Sequence, residues 1–463
     1  MHYLDRGIEP SLHLVYHDAT KGESPEMNVE TLKETAYTII DQNRDAIFEV
    51  ADTVWTHPET GYKEEKTGRY IARLLQELKL PVKTNLAIHG SRADLQYQKK
   101  GPRLAVIGEL DSIILPSHPN ADPVTGAVHA CAHHVQLANL IGSVITLSNK
   151  EIARHLGGSI AFIAAPAEEF LETGYRLELV KQQKIRYCGG KAEMIRLGVF
   201  DDIDAAIMIH GGNNYEVSES YNGFVMKKIT FIGKASHGGL APWDGINALY
   251  AANIALDAIN AQRETFRDED TVRIHGIITK GGGAVNVTPD EVVLEIQVRA
   301  KRPEAILDAS QKVDRAMRAG ATALGATVRI ETVPGYMPLK NNRDMAHLVL
   351  NNIHRFNSSL ELEFGGHRGS STDMGDVGMI MPMVHPEASG CTGAFHGKDF
   401  CVADREVAII ESTKILVGTV IDLMYDDASV LQKIIEKAPV AMTKAQYLEF
   451  MERLSSNREF SFT

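Results

Sequence analysis

The sequence predicts an α/β protein in which a mostly parallel sheet is interrupted by a smaller α+β domain. Three apolar runs, at 103–110, 158–166 and 204–210, each end in polar residues, and a helical segment separates the first two. This alternation of strand and helix is typical of a parallel sheet. Between 222 and 337 the pattern changes to alternating strands and amphipathic helices in the order β-α-β-β-α-β, which predicts a ferredoxin-like insert.

The insert divides a chain of 463 residues, and about 150 residues per domain allows two or three domains in that length. Apolar residues at helical spacing predict one helix from Asn28 to His57, where Pro58 ends it. The predicted parts are an N-terminal extension (1–28), the first part of the α/β domain (29–221), the insert (222–337), the second part of the α/β domain (338–425) and a helical C-terminal addition (426–463).

Composition and charge exclude several classes of partner. The net charge is −12 and the sequence has no Lys/Arg-rich block, so nucleic acids and anionic membranes are not expected partners. No apolar run approaches the ~20 residues that a membrane-spanning helix needs, and the first residues lack the apolar core of a signal peptide. The four cysteines form no Cys-x-x-Cys pair, which favours a reducing compartment. We therefore expect a cytoplasmic protein.

Two clusters of ligand-type residues follow the predicted strands. Cys131 and His133 lie two residues apart before a helix, and thiolate and imidazole are good ligands for zinc and similar metals. The alternative is a buried free cysteine beside a histidine at a helix start. Glu168 and Glu169 follow a strongly apolar run, where one carboxylate can bind a metal while the other faces a water. The alternative there is a solvated loop.

Four further positions carry weaker signals. His210 ends the run at 204–210 before two glycines, and His396 lies in a late Gly-Ala-Phe-His-Gly segment. In the insert, His237 precedes paired glycines, and Asn286 lies just after three glycines. Because ligands of parallel sheets bind at the carboxyl ends of the strands, the residues outside the insert can meet in one pocket. Each residue taken alone identifies no function.

The order of these clusters along the chain resembles that of metallopeptidase family 20, which contains aminoacylases and carboxypeptidases. Within that family the chain is similar to the amidohydrolase branch of indoleacetyl-amino-acid hydrolases and aminobenzoyl-glutamate hydrolase. The resemblance covers about residues 30–425. The motifs that carry it are GELDSI, HACAHH, APAEEF, IHGG, SHGGLAPWDGINAL, INAQRETF, ITKGGGAVNVTPD, SSTDMGDV and FHGKDF.

The resemblance implies a phosphorylase/hydrolase-like catalytic domain with an inserted dimerisation (lid) domain. It also implies a metal-dependent enzyme that cleaves the amide bond of a small molecule: an N-acyl amino acid, an amino-acid conjugate or a small dipeptide. The expected cofactors are two divalent metal ions, Mn²⁺ or Zn²⁺, with Co²⁺ or Ni²⁺ also open. The expected assembly is a homodimer, with a tetramer as the alternative.

The family motifs also imply a role for each residue that matches them. The metal ligands would be Cys131, His133, Glu169, His210 and His396; Glu168 would be the general base, Asp111 would support the metal ligands, and His237 and Asn286 would bind substrate or the developing oxyanion. Five ligands are too many for one tetrahedral ion that keeps an open position, so a pair of ions fits the count better.

The chain departs from the family's Cys-Gly-His-Asp motif at two positions, where Ala132 replaces the glycine and His134 replaces the Asp or Asn. His134 is either a further ligand or, as we favour, a helix-start residue.

Two other functions stay open. Cys131 could be a nucleophile with His133 as its base, although catalytic Cys and His usually come from separate segments. The chain could also bind metal without catalysis, although the retained Glu168 argues against a pure binder.

Overall fold

The fold is that of a computed structural model, which describes residues 27–462, so most of the expected N-terminal extension (1–28) lies outside the described residues. The helices are α1 (Val29–Gln42), α2 (Arg44–Trp55), α3 (Glu65–Glu77), α4 (His133–Leu147), α5 (Lys150–Ala153), α6 (Thr173–Lys181), α7 (Gly190–Arg196), α8 (Ala248–Ala261), α9 (Pro303–Leu324), α10 (Arg343–Phe356), α11 (Met374–Ile380), α12 (Ser412–Met424), α13 (Ser429–Lys437) and α14 (Lys444–Leu454). The strands are β1 (Val82–Leu86), β2 (Gly90–Gln96), β3 (Lys99–Glu109), β4 (Ile113–Ile114), β5 (Ala127–Val128), β6 (Gly157–Ala165), β7 (Ala205–Ile207), β8 (His210–Gly211), β9 (Ser220–Tyr221), β10 (Gly223–Ile232), β11 (Arg273–Lys280), β12 (Glu291–Ala300), β13 (Thr327–Pro334), β14 (Leu339–Lys340), β15 (His367–Arg368), β16 (Met383–Val384), β17 (Glu387–Ala388), β18 (Cys391–Thr392), β19 (Cys401–Val402) and β20 (Ser456–Phe460).

The described chain divides into two compact units, and each is built from more than one stretch of sequence. Unit 1 comprises the described residues up to Glu219, Asn341–Gly366 and Met381–Ala441, and unit 2 comprises Ser220–Lys340, His367–Ile380 and the described residues from Met442. Within residues 27–462, no helix has both the length and the apolar composition that crossing a bilayer requires.

Unit 1 is built on a six-stranded sheet with the order β1-β2-β6-β3-β7-β16. The four strands from β6 to β16 run parallel to one another, and β1 and β2 add an antiparallel hairpin at one edge. Every residue of β6 is buried, as expected for a strand of a parallel sheet that is covered on both faces. The three apolar runs of the sequence form β3, β6 and β7, so the predicted mostly parallel fold class is confirmed.

The helix predicted from Asn28 to His57 is two helices in the structure, because the chain breaks at Asn43 between α1 and α2. The Asn43 side-chain amide donates a 2.9 Å hydrogen bond to the carbonyl of Ile39. Asparagine side chains compete in this way for backbone groups, which weakens a helix locally. The spacing of apolar residues is continuous through this point, so periodicity alone does not reveal the break.

Unit 2 is built on a five-stranded antiparallel sheet with the order β11-β12-β10-β13-β20. The side chains of β12 alternate between buried and partly exposed, as expected for a strand with one face against helices. Helices α8 and α9 pack against each other and against β10 and β12. Strands β10 to β13 and these two helices follow the predicted order β-α-β-β-α-β, which confirms the α+β class of the insert.

The C-terminal segment differs from its predicted structure. A helical addition is expected at 426–463, and α13 and α14 do form there, but Ser456–Phe460 is a strand. It pairs with β13, from Thr332 opposite Ser456 to Val328 opposite Phe460. The sequence Ser-Asn-Arg-Glu-Phe has little intrinsic strand preference, so the ladder offered by β13 decides its conformation. The pairing covers one edge of the sheet and leaves β11 as the other edge within the described part of unit 2.

A glycine in α9 tests the packing of the two helices of unit 2. A Cβ at Gly320 would lie 2.2 Å from the carbonyl oxygen of Ala251 in α8. We expect Gly320→Ala to lower the free energy of unfolding of unit 2 by about 1–3 kcal/mol, because overpacking outweighs the better helix propensity of alanine. Urea denaturation measures this change. Gly174→Ala is the matched control, since a Cβ at Gly174 in α6 meets no atom of the described residues within 4 Å. Equal or greater stability of Gly320→Ala would contradict the packing described here.

Candidate metal centre

Polar side chains collect where the parallel strands of unit 1 end. Glu109 is the last residue of β3, β6 ends shortly before Glu168, and His210 follows β7. Strands β6, β3 and β7 are neighbours in the sheet, so their carboxyl ends lie side by side. Cys131 and His133 come from the segment at which helix α4 starts. The sheet therefore provides one edge to which several chemically active residues are delivered.

Three turns with unusual backbone angles bring these side chains together. Ala132, Ala167 and His396 have φ values of 62°, 56° and 60°, in the left-handed region that non-glycine residues seldom adopt. Such residues are most often found where function requires them. The Ala132 turn lies between Cys131 and α4, and it allows Cys131 and His133 to face the same group of side chains although they are only two residues apart.

The predicted ligands form two groups of three that share Cys131. Cys131 accompanies His133 and His210 in one group. In the other group it accompanies Glu169 and His396, and the ligand atoms within each group lie within 4.8 Å of one another. Cys131 Sγ is 3.6 Å from His210 Nε2, and Glu169 Oε1 is 3.0 Å from His396 Nε2. The structure thus brings all five of these side chains together.

Asp111 contacts two of the predicted ligands. Nδ1 of His133 lies 2.9 Å from the backbone carbonyl oxygen of Asp111 and 3.2 Å from its Oδ1. The backbone N–H of Glu169 donates a 2.8 Å hydrogen bond to Asp111 Oδ2. Contacts of this kind fix the orientation of a metal-binding imidazole and leave its other nitrogen, here Nε2, for the metal.

Glu109 is a further acidic residue of the centre, and the sequence did not assign it a role. It is fully buried and lies close to His133 and Glu168. Glu109 Oε1 accepts a 2.5 Å hydrogen bond from Lys191 Nζ, and Oε2 accepts a 2.7 Å hydrogen bond from Gln136 Nε2. The position of Glu109 at a strand end was a usable signal. Lys191 gave none, because a lysine on a helix is normally exposed.

The mutual charges of the centre shift the pKa values of its members. Burial raises the pKa of the Cys131 thiol, but His210 and His133 outweigh burial and lower that pKa to about 6. The neighbouring Cys131 thiolate and Glu169 carboxylate raise the pKa of His396 to about 11. Burial opposes ionisation of Glu169, yet His396 holds its pKa below the usual value. The thiolate and carboxylate forms are therefore favoured, and these are the forms that bind metals, whereas a bound metal would have to displace the proton that the raised pKa keeps on His396.

The donor atoms fit a divalent metal. His133 Nε2 and Glu169 Oε1 are buried and, within residues 27–462, make no well-formed hydrogen bond, although charged neighbours are close. Buried polar atoms in this condition are rare and call for an explanation. A bound cation would satisfy both atoms. Thiolate, imidazole and carboxylate together suit zinc, manganese and similar ions, so the residues present fit the group that the sequence predicted.

Glu168 and His134 lie outside the two groups that share Cys131. Glu168 is buried, and its Oε2 lies 3.9 Å from His133 Nε2, so a carboxylate stands beside the candidate ligands. His134 is the second residue of α4, and no candidate ligand group of the described residues contains it. Its ring packs against Trp55 at a centroid distance of 4.9 Å, and burial lowers its pKa to about 3. This environment favours a helix-start residue over a ligand.

His237 and Asn286 lie in unit 2, not in the unit that holds the five predicted ligands. Both are exposed, and their segments pair, since the Gly238 N–H donates a 2.9 Å hydrogen bond to the carbonyl of Asn286. The structure thus places these two residues close together within unit 2.

Arg299, in β12, was missed by sequence reasoning. Its guanidinium donates hydrogen bonds to His275, Gln297 and Ser371, and within residues 27–462 it forms no ion pair. Burial lowers its pKa from the usual arginine value. An arginine that is largely buried among neutral groups is a candidate for binding a carboxylate. Arginine in an alternating strand is common, so the sequence pattern gave no signal for this one.

Known proteins are similar to this chain over most of its length. The peptidase dimerisation domain matches residues 221–323. An Xaa-Arg dipeptidase of Mus musculus is 26% identical over 427 residues, which cover 90% of this chain and 94% of that protein. Thermostable carboxypeptidase 2 of Saccharolobus solfataricus is 26% identical, over 82% of this chain and 95% of that protein. A p-aminobenzoyl-glutamate hydrolase polypeptide of Escherichia coli is 24% identical, over 80% of this chain and 74% of that protein.

Solved structures share the fold. A dinuclear metal-binding peptidase of the M20 family from Bacillus subtilis superimposes with a TM-score of 0.62 at 18% identity, covering 84% of this chain and 99% of that one. An aminobenzoyl-glutamate utilization protein from Klebsiella pneumoniae also gives a TM-score of 0.62, at 17% identity, covering 83% of this chain and 97% of that one. The predicted combination of a mostly parallel sheet with an inserted α+β domain is therefore found in known proteins.

Asp111→Ala tests the contacts that hold the candidate ligands. The variant loses the acceptor for the Glu169 N–H and the carboxylate beside His133, so we expect metal affinity to fall about 10–100-fold. Isothermal titration calorimetry of the metal-free protein with Mn²⁺ or Zn²⁺ measures the affinity. The control is Asp45→Ala, at an exposed aspartate in the first turn of α2. An unchanged affinity in Asp111→Ala would show that these contacts do not support metal binding.

Proposed function

Because this chain is a metal-dependent hydrolase related to metallopeptidase family 20, we propose that it uses two metal ions to cleave amide bonds. The proposed substrates are N-acyl amino acids, amino-acid conjugates such as aminobenzoyl-glutamate, and small dipeptides. The relatives named as dipeptidase, carboxypeptidase and p-aminobenzoyl-glutamate hydrolase support this range of substrates. The observation that carries the proposal is the pair of overlapping ligand groups with the Glu168 carboxylate beside them.

The two ligand groups support two ions. His133 and His210 would hold one ion, Glu169 and His396 the other, and Cys131 lies within reach of both. Manganese and zinc are the proposed metals, with cobalt or nickel as alternatives, since these donor types do not select one ion. When bound, the ions would polarise the amide carbonyl and lower the pKa of a water molecule.

The side chains of the centre have distinct proposed roles. Glu168 takes a proton from the attacking water and delivers it to the leaving amine. Glu168 and Glu109 both lie buried beside His133 and outside the two groups that share Cys131, but Glu109 is ion-paired with Lys191. Asp111 orients His133 and the backbone of Glu169. General acid–base catalysis by a residue placed in this way typically contributes ~10²–10⁴-fold to the rate.

Three residues of unit 2 are the proposed substrate-binding group. His237 and Asn286 offer exposed polar side chains on paired segments, and they suit an amide oxygen or a substrate carboxylate. Arg299 has the delocalised positive charge that pairs best with a carboxylate, and its present partners are neutral. A carboxylate is the group that amino acids, glutamate conjugates and dipeptides have in common.

A second copy of the chain is the proposed partner. Strand β11 is an edge of its sheet, and it exposes 65% of Ile277 and 46% of Ile278. On α8, Tyr250 and Ile254 are also exposed. An uncovered strand edge with apolar side chains is a ready surface for pairing with another chain. The match to a peptidase dimerisation domain supports a homodimer that uses this surface, and a tetramer is the alternative.

The proposed location is the cytoplasm. Cys131, Cys188, Cys391 and Cys401 are all free thiols in the described part of the chain. Free thiols are the state that a reducing compartment maintains.

One alternative chemistry has a specific observation in its favour. The lowered pKa of Cys131 favours a thiolate, which is the form of a nucleophilic cysteine. In that case the enzyme would attack the amide through sulfur and would need no metal.

Glu168→Gln tests the assignment of the general base. The amide cannot accept a proton, but the ligand residues are unchanged, so we expect kcat to fall by at least about 10²-fold while both metals stay bound. Amine release from a panel of N-acetyl amino acids, aminobenzoyl-glutamate and dipeptides measures activity, and elemental analysis measures the metal. A fully active variant would refute this role for Glu168.

The same assay separates the metal enzyme from a thiol enzyme. Removal of metal by EDTA should abolish the wild-type activity, and added Mn²⁺ or Zn²⁺ should restore it. Activity that persists in the metal-free protein would favour Cys131 as the nucleophile.

Ile277→Lys tests the proposed dimer surface. A charge in the middle of the β11 edge should weaken the dimer at least about 10-fold. The lysine replaces an exposed apolar side chain, and its charge would be buried when two chains associate. Sedimentation velocity over a range of protein concentrations measures the dissociation constant. Asn457→Lys is the matched control on β20, at the opposite edge of the same sheet. Loss of the dimer in the control alone would show that the interface lies at the β20 edge instead.

A further inference from the structure

The segment that carries Glu168 and Glu169 has an unfavourable backbone conformation that other residues must hold. We call this segment, Pro166–Phe170, the base loop. It connects β6 to the residues before α6. Ala167 lies in it with a φ of 56° and is fully buried. A buried left-handed alanine persists only where its surroundings fix it.

Arg176 binds the base loop from α6. It is buried to within 1% of its surface, and its Nη1 donates to the carbonyls of Cys188, at 2.7 Å, and Ala167, at 3.4 Å. Its Nη2 donates to the carbonyl of Glu169. One guanidinium therefore binds two backbone carbonyls of the base loop and one on the chain that returns from α6. Lysine could not reproduce this fixed fork of donors.

The place of the guanidinium is itself fixed by its neighbours. Its carbon lies 5.5 Å from the ring centroid of Tyr62 and 5.6 Å from that of Phe170. Gly61 leaves room for it, because a Cβ at that position would lie 2.3 Å from Nη2 of Arg176 and 2.8 Å from Cα of Ala167. The glycine is thus required at the point where the arginine meets the loop.

Glu64 binds the N–H side of the same loop. It is fully buried, and its Oε1 accepts a 2.7 Å hydrogen bond from the backbone N–H of Ala167. The N–H of Glu169 is held in the same way by Asp111. Glu64 and Asp111 accept from the N–H groups of the loop, and Arg176 donates to its carbonyls. These hydrogen bonds together restrict the backbone of the loop.

We propose that Glu64 and Arg176 are positioning residues that hold the base loop so that the Glu168 and Glu169 carboxylates lie in the candidate metal centre. The proposal rests on the proposed function of that centre. Neither residue belongs to a candidate ligand group of the described residues. They act through the backbone, where a displacement of about 1 Å at a catalytic group can cost ~10²-fold in rate.

The structure provides a matched pair of substitutions on α6. Arg176→Met keeps a similar volume and removes the guanidinium, and Lys181→Met makes the same kind of change at an exposed lysine of the same helix. At saturating Mn²⁺ we expect Arg176→Met to lower kcat about 30–100-fold with KM changed less than about 3-fold, and Lys181→Met to match the wild type. A KM effect without a kcat effect would overturn the proposal.

Glu64 supplies a test by conservative replacement. Glu64→Gln keeps an oxygen that can accept from the Ala167 N–H, whereas Glu64→Leu has a similar size and no acceptor. We expect Glu64→Gln to retain most of kcat and Glu64→Leu to lose it. Equal activity of these two variants would show that the hydrogen bond does not position the loop.

Hydrogen–deuterium exchange measures the protection of the backbone amides in the base loop and does not depend on enzyme activity. In Glu64→Leu and Arg176→Met, exchange should accelerate in the peptide that covers 165–170 while β6 and α3 keep their wild-type exchange. Faster exchange throughout unit 1 would mean a general structural role and would overturn the proposal. If Arg176→Met does not fold, Gly61→Ala, which keeps the arginine and crowds it, takes its place with the same expected pattern.

The outcomes also separate this inference from the proposed function. A wild-type protein with no activity on any amide of the panel would refute the proposed function. Exchange in the base loop would still decide whether Glu64 and Arg176 hold that loop. An active wild type whose variants keep both kcat and loop protection would remove only the role of these two residues.

Discussion

The constraint on which the rest of this structure depends is the burial of opposite charges at one edge of the sheet in unit 1. Glu109 is fully buried with Lys191 2.5 Å and His133 3.2 Å away. Removing one member of such a group leaves a buried charge without compensation, which typically costs about 3–5 kcal/mol. The charges are tolerated only while they stay close, so the turns that carry them must be rigid. The left-handed turns at Ala132 and Ala167 directly precede His133 and Glu168, which lie beside Glu109.

The sequence indicates the candidate ligands more readily than the residues that hold them in place. Cys131 could be expected to bind a metal because few residue types do so, and Glu169 also because it follows the apolar run that forms the buried strand β6. The roles of Glu64 and Arg176 could not be predicted. Each binds backbone atoms of a loop that is distant in sequence or separated by a turn. Glu64 directly precedes α3 and Arg176 lies in α6, where charged side chains are normally solvated. Their role exists only once the chain has folded around the loop.

The same distinction applies to the fold. The six elements from β10 to β13 have strong periodic patterns, and the sequence predicts them in the correct order. The break at Asn43 and the strand β20 were not predicted, because a single side-chain hydrogen bond decides the first and pairing with β13 decides the second. The apolar spacing records neither, because the Asn43 bond is a local side-chain contact and the pairing of β20 is a contact formed in the folded state.

The pairing of β13 with β20 has a consequence for how unit 2 assembles. The partners Arg329 and Glu459 are 130 residues apart in the sequence. Contacts of such high sequence separation form slowly, because the entropy of closing the intervening loop is lost before the contact stabilises it. A newly synthesised chain therefore exposes the β13 edge until the C-terminal segment pairs with it. During that interval the incomplete unit is open to strand pairing between molecules, and the arrival of the C-terminal segment ends it.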